Sequence, residues 1–125
     1  MFAIRMGVPE MKGLWEALTA KSKAGAISKV EAELYKKWVK ALMLLSQNPL
    51  HRGLGSHEID ALSRRYGEKV WQSYLENRTP AAGRMFWVYG PGKATITVIG
   101  LEPHPEDAKR AGYAKVRLSE KGPEG

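Results

Sequence analysis

Around Lys69 the hydrophobic period of the chain changes, and that change restricts the fold more than any other feature. Before it, apolar residues recur every three or four positions; after it come short runs rich in aromatic and β-branched residues. Two segments carry the helical period. Pro9 can occupy an opening helical turn, where its missing N–H costs nothing, and Met11, Leu14, Trp15 and Leu18 follow on one stripe. A helix is expected from Pro9 to about Ala24, with Gly25 as its stop. Ser28-Lys29-Val30-Glu31 then has the S-x-x-E form of a capping box, in which each side chain satisfies a free backbone N–H of a new helix. Val30, Leu34, Trp38, Leu42 and Leu45 make its stripe, and Asn48-Pro49 ends it. With so short a link the two helices should form an antiparallel hairpin, with Trp15 and Trp38 in the core.

Beyond Lys69, the runs KVWQSYLE, GRMFWVYG and ATITVIGL predict three strands. Gly90-Pro91-Gly92-Lys93 makes the last two an antiparallel hairpin, and NRTPAA is the longer loop before them. Between the halves, HRGLGSHEIDALSRRYGEK reads as a loop with a short strand or a turn of helix, anchored by Leu54, Ile59 and Leu62. FAIRM is only a short start. This order gives an α+β domain, an N-terminal helical hairpin packed on one face of a small antiparallel sheet, with the other face available for function. Alternation nevertheless puts Arg84, Phe86 and Val88 on one side and Met85, Trp87 and Tyr89 on the other. Both faces are then largely apolar, so the second should be partly covered, with the C-terminal segment as the cover. One domain is expected over residues 1–120, with 121–125 a disordered tail.

The chain of 125 residues has no cysteine, which removes disulfide and thiolate chemistry and suits a reducing cytosol. ALMLL and TITVIGL are too short to span a bilayer, so no membrane partner is expected. Neither GxGxxG nor GxxxxGK[ST] occurs, nor does a G-x-S-x-G elbow. The histidines, His51, His57 and His104, show no HExxH or HxH spacing, and no metal or other cofactor is expected. Lys and Arg total 20 against 13 acidic residues, a net charge of +7 that suits RNA, DNA or an acidic protein, or a surface kept charged for solubility.

Cleavage of RNA by acid/base chemistry needs an acceptor for the 2′-hydroxyl proton, cations for the phosphate and a proton donor for the leaving oxygen. Arg84 on a strand and His57 and His104 at strand edges meet that list. Lys69, Arg78 and Lys93, with Arg64 and Arg65, are candidate RNA-binding cations. Arg84 lies among apolar neighbours and needs a partner, either a carboxylate such as Glu76 or a bound phosphate. In EPHPED, two prolines hold His104 on a stiff exit from the last strand, which suits a structural turn as well as a fixed imidazole.

GLGSHEIDAL resembles a "GL..HKL..L" segment, AGRMFWVYG resembles a "YRV.Y" strand, and TITVIGL runs into EPHPED. With the helical hairpin before them, these residues resemble the RelE/ParE superfamily of bacterial toxin-antitoxin modules, over roughly Lys36 to Asp107. The resemblance implies a cytoplasmic toxin neutralised by a cognate antitoxin. It would be a metal-independent mRNA endonuclease, acting on the ribosome in the RelE and HigB branches, or a gyrase inhibitor in the ParE branch. It also implies roles: Arg84 would hold the scissile phosphate, and His57 and His104 would serve as base, acid or hydrogen-bond donors. Glu58 stands where that pattern has lysine, and Gln72, Ser73 and Glu76 stand where active nucleases carry cations. The alternative is a RelE-like module that binds nucleic acid or protein without cutting.

Overall fold

A computed structural model describes residues 1–76, 83–102 and 116–123. Helix α1 spans Glu10–Lys23 and α2 spans Lys29–Gln47. Both bonds of the capping box form: Glu31 N–H donates to Ser28 Oγ at 3.1 Å, and Ser28 N–H donates to Glu31 Oε1 at 3.2 Å. The hairpin closes on Trp38, which is fully buried and meets the edge of Trp15 with ring centroids 5.2 Å apart. Val30 departs from the expected stripe. It lies in the first turn of α2 and is 80% exposed, so the buried stripe starts at Leu34.

Among the described residues, five strands form one sheet in the order β1-β5-β4-β3-β2. They are β1 Ala3–Met6, β2 His57–Glu58, β3 Trp71–Tyr74, β4 Arg84–Tyr89 and β5 Thr95–Glu102. The three expected strands are present, and two more extend the sheet. FAIRM, read as a short start, holds β1, which runs parallel to β5 with Ala3 opposite Thr95, so the sheet is mixed. The 51–69 segment supplies a 3₁₀ turn at Arg52–Leu54, the two-residue β2 and helix α3, Asp60–Tyr66. No helix among the described residues is long and apolar enough to cross a membrane.

The hairpin α1–α2 packs on the face that carries Met85, Trp87, Ile96, Val98 and Leu101. The opposite face carries Val70, Phe86, Val88 and Ile99, and it is not open. Ile59, Leu62 and Tyr66 of the α3 region and Val116 and Leu118 of the C-terminal segment cover it, as the apolar alternation of β4 requires. A bulge lets that cover come close. Trp87 pairs with Val98 and Phe86 with Gly100, which leaves Ile99 unpaired between them and turns Leu101 back toward the hairpin. A β-carbon on Gly100 would stand 3.0 Å from the Arg117 carbonyl oxygen and 3.2 Å from Leu118 Cδ2 and Phe86 Cδ2.

Hydrogen bonds fix the segment where it lies. Ser119 N–H donates to the Ile99 carbonyl at 2.7 Å, and Val8 and Glu120 exchange both backbone bonds. Tyr66 Oη donates to the Ser119 carbonyl at 2.7 Å, and Arg65 donates to the Val116 carbonyl. Contacts continue into the expected tail. Lys121 lies 3.0 Å from Glu68, and Arg5 donates to the Pro123 carbonyl at 2.8 Å; residues 124–125 lie outside the described residues.

Candidate functional site at one end of the sheet

Arg84 opens β4, directly opposite Tyr74 of β3 and Glu102 of β5. Its guanidinium is ion-paired with Glu102, donates to Gln72 Oε1 at 3.2 Å and lies 5.9 Å from the centre of the Phe86 ring. The partner that this arginine requires is therefore Glu102. Glu76 is exposed and sits beside Lys37 Nζ at 4.0 Å instead. Both members of the Arg84–Glu102 pair are mostly buried, so the attraction acts in a medium less screening than water. A phosphate arriving at Arg84 would meet a charge already neutralised.

Gln72 and Ser73 of β3 have structural tasks. Gln72 is buried and offers its carbonyl oxygen to Arg84, as a neutral acceptor where a second cation would repel it. Ser73 is fully buried; its Oγ accepts from Trp87 Nε1 at 2.8 Å and lies 2.6 Å from Ser56 Oγ. A lysine or arginine in that position would place a charge inside the hairpin core.

His57 stands on the edge strand β2, opposite Gln72. Its ring is exposed, and its Nδ1 lies 2.9 Å from the Gly55 carbonyl. A carbonyl can only accept, so Nδ1 carries the ring proton and Nε2 of the neutral imidazole keeps a free lone pair. Gly55 reaches this position in the left-handed region, φ 58°. The His57 ring centroid is 6.3 Å from that of Tyr74. His57, Gln72, Tyr74, Arg84 and Glu102 thus form one polar strip across β2, β3, β4 and β5. Tyr74, Gln72 and Glu102 were missed as members of it. The pairing of Tyr74 with Arg84 is implied by a hairpin, but Glu102 comes into line only through the bulge at Ile99.

The other candidate cations do not gather around this strip. Lys69 precedes β3 and Lys93 lies in the β4–β5 turn, at the far end of a six-residue strand from Arg84, roughly 17 Å away. Arg64 is exposed on α3, and Arg65 holds the C-terminal segment. His104 and Arg78 lie outside the described residues. Among the described residues no group of three or more His, Asp or Glu side chains is placed to hold a metal ion. Compared with known protein families, curated proteins and solved structures, the chain has no match.

Proposed function

We propose that the chain is a RelE-like toxin that cleaves RNA without a metal ion and is neutralised by an antitoxin. The observation that supports this best is the geometry of His57: an exposed imidazole whose Nδ1–H donates to the Gly55 carbonyl, so that Nε2 of the neutral ring is left as the acceptor. Nε2 can remove the proton of a ribose 2′-hydroxyl. The 2′-oxygen then attacks phosphorus, the P–O5′ bond breaks, and the 5′-oxygen leaves with a proton from solvent or a nearby donor. The net charge of +7 favours the polyanionic substrate. His104 belongs to the proposal by its place in the sequence.

The pairing of Arg84 with Glu102 and Gln72 favours a second reading, in which the same scaffold binds nucleic acid or protein and Arg84 serves the fold. Expression in bacteria with and without the adjacent gene, followed by incubation of purified protein with RNA and ribosomes, separates the two. The first reading expects growth arrest and defined RNA cleavage, with His57→Ala lowering the cleavage rate roughly 10²-fold or more. Salt-dependent RNA binding with no products assigns the second. Loss of gyrase supercoiling in place of RNA cleavage would assign the ParE-like activity, and a protein inert in all three assays would overturn the toxin reading.

A further inference from the structure

The α1–α2 hairpin does not cover its face of the sheet to the end. Helix α2 stops at Gln47, and Tyr89, the last residue of β4 on that face, is 41% exposed. Its ring meets those of Trp87, Phe2 and Trp71, with centroids 5.1, 5.9 and 6.2 Å away. Phe2 in turn is tied to the helix. Its N–H donates to the Ser46 carbonyl at 2.8 Å, and Ser46 Oγ donates to the Met43 carbonyl at 3.0 Å. Met43 stands one turn of α2 before Ser46 and is 59% exposed. Phe2, Met43 and Tyr89 therefore border one apolar surface, where the end of α2, the start of β1 and the end of β4 meet. Single exposed apolar side chains need no explanation, but a convergence of them is what an interface presents.

The border of this surface is cationic. Within four positions in sequence of Phe2, Met43 or Tyr89 the charged residues are Arg5, Lys40 and Lys93, with no carboxylate among them. Lys36 and Lys40 are exposed along the side of α2 that carries Met43. Lys93 is exposed in the turn after Tyr89, and the Ala94 carbonyl of that turn accepts the Ala3 N–H at 2.9 Å, next to Phe2. Glu58 stands one strand beyond Trp71 as seen from Tyr89. An apolar centre with a basic rim complements an apolar stripe flanked by carboxylates. A thioether gives a nucleic-acid base nothing to stack on, whereas it adapts readily to the apolar side chains of a protein.

We propose that this surface docks a protein partner through an acidic amphipathic helix, whose apolar stripe covers Phe2, Met43 and Tyr89 while its carboxylates face Lys36, Lys40 and Lys93. The inference goes beyond the RNA-cleaving reading and stands without it. The surface lies at the opposite end of β4 from Arg84 and uses neither that residue nor His57.

The test uses the full chain, labelled with ¹⁵N, and a designed helical peptide of about 18 residues, roughly 27 Å long, with leucine along one stripe and glutamate and alanine elsewhere. Amide resonances of Phe2, Met43, Ser46, Gln47 and Tyr89 should shift on titration. Met43→Gln should weaken binding roughly fivefold and Met43→Glu tenfold or more. Lys40→Gln should weaken it at low salt and flatten its salt dependence. These positions are exposed, and circular dichroism of each variant checks the fold. Shifts confined to other residues, equal affinity in Met43→Glu and Lys40→Gln, or equally tight binding of the same peptide with lysine for glutamate overturns the inference. Single-stranded RNA or phosphatidylglycerol vesicles that shift these amides while the acidic peptide does not overturn it in favour of that ligand. Self-association that Met43→Glu abolishes overturns it in favour of a second copy of the chain. Each of these failures leaves the nuclease reading to its own assays.

Discussion

Arg84 and Glu102 face each other across β4 and β5 and form a mostly buried ion pair, with Gln72 supplying a second acceptor to the guanidinium. The pair ties the first residue of one strand to the last of the next. Removing one partner leaves the other charged and poorly solvated, so Arg84→Met should cost roughly 1–3 kcal/mol in urea denaturation. Glu102→Gln tests the site instead. If the carboxylate restrains Arg84 from phosphate, this variant should bind single-stranded RNA several-fold tighter at low salt, and unaltered affinity would make Arg84 a residue of the fold alone.

Ser73→Ala should destabilise the protein far more than a surface serine would. Its hydroxyl bonds both Trp87 Nε1 and Ser56 Oγ inside the core, and the exchange leaves the indole N–H buried with no acceptor. A loss of roughly 1–3 kcal/mol is expected from the denaturant midpoint. Ser73→Arg, which would put a charge inside the core at that place, should fail to fold.

Gly100→Ala tests the close approach of the C-terminal segment. The added methyl would meet backbone, the Arg117 carbonyl oxygen at 3.0 Å, which has little room to yield because Ser119 N–H is bonded to the Ile99 carbonyl. The expected cost is about 1–3 kcal/mol. Faster amide exchange at Ser119 and Glu120, with the α1–α2 hairpin unaltered, would identify the segment as the part that gives way.

Tyr66 links stability to alkaline pH. Burial, and then the charges of Glu120 and Glu68, push its phenol up to about 12 from an ordinary value near 10. The folded state therefore holds the phenolic proton more tightly than the unfolded state does. That contribution is fully present below about pH 10 and is lost as the pH rises through about 12. The urea midpoint of wild type should fall between about pH 9 and about pH 11.5, and Tyr66→Phe should reduce that fall. An equal fall in both proteins would place the alkaline sensitivity elsewhere.

The elements that could be read in advance are those whose signal is local. The capping box at Ser28 and Glu31, the stripe from Leu34 to Leu45 and the turn at Gly90-Pro91-Gly92-Lys93 depend on neighbours a few residues away. The apolar side chains on both faces of β4 even required a cover for the second face. β1 gave no such warning. Its four residues acquire meaning only beside Thr95–Val98, some ninety positions on, where β5 supplies the hydrogen bonds. The seven-residue α3 is too short for a helical period to stand out. Arg84 was legible as a charge in need of a partner, but the partner was not, because the Ile99 bulge sets the register that brings Glu102 opposite it.

By itself, then, the sequence determined the two helices, the three central strands, the basic surface and the residue types from which a site could be made. Those follow from side-chain periodicity and charge, which act over one or two turns of chain. The tertiary structure decided which of these residues meet. It closed the second face of the sheet with α3 and the C-terminal segment, gave Arg84 to Glu102, and set His51 and His57 in opposite tautomers through the Gly53 N–H and the Gly55 carbonyl. A ring nitrogen's proton is placed by the backbone group that the fold brings to it.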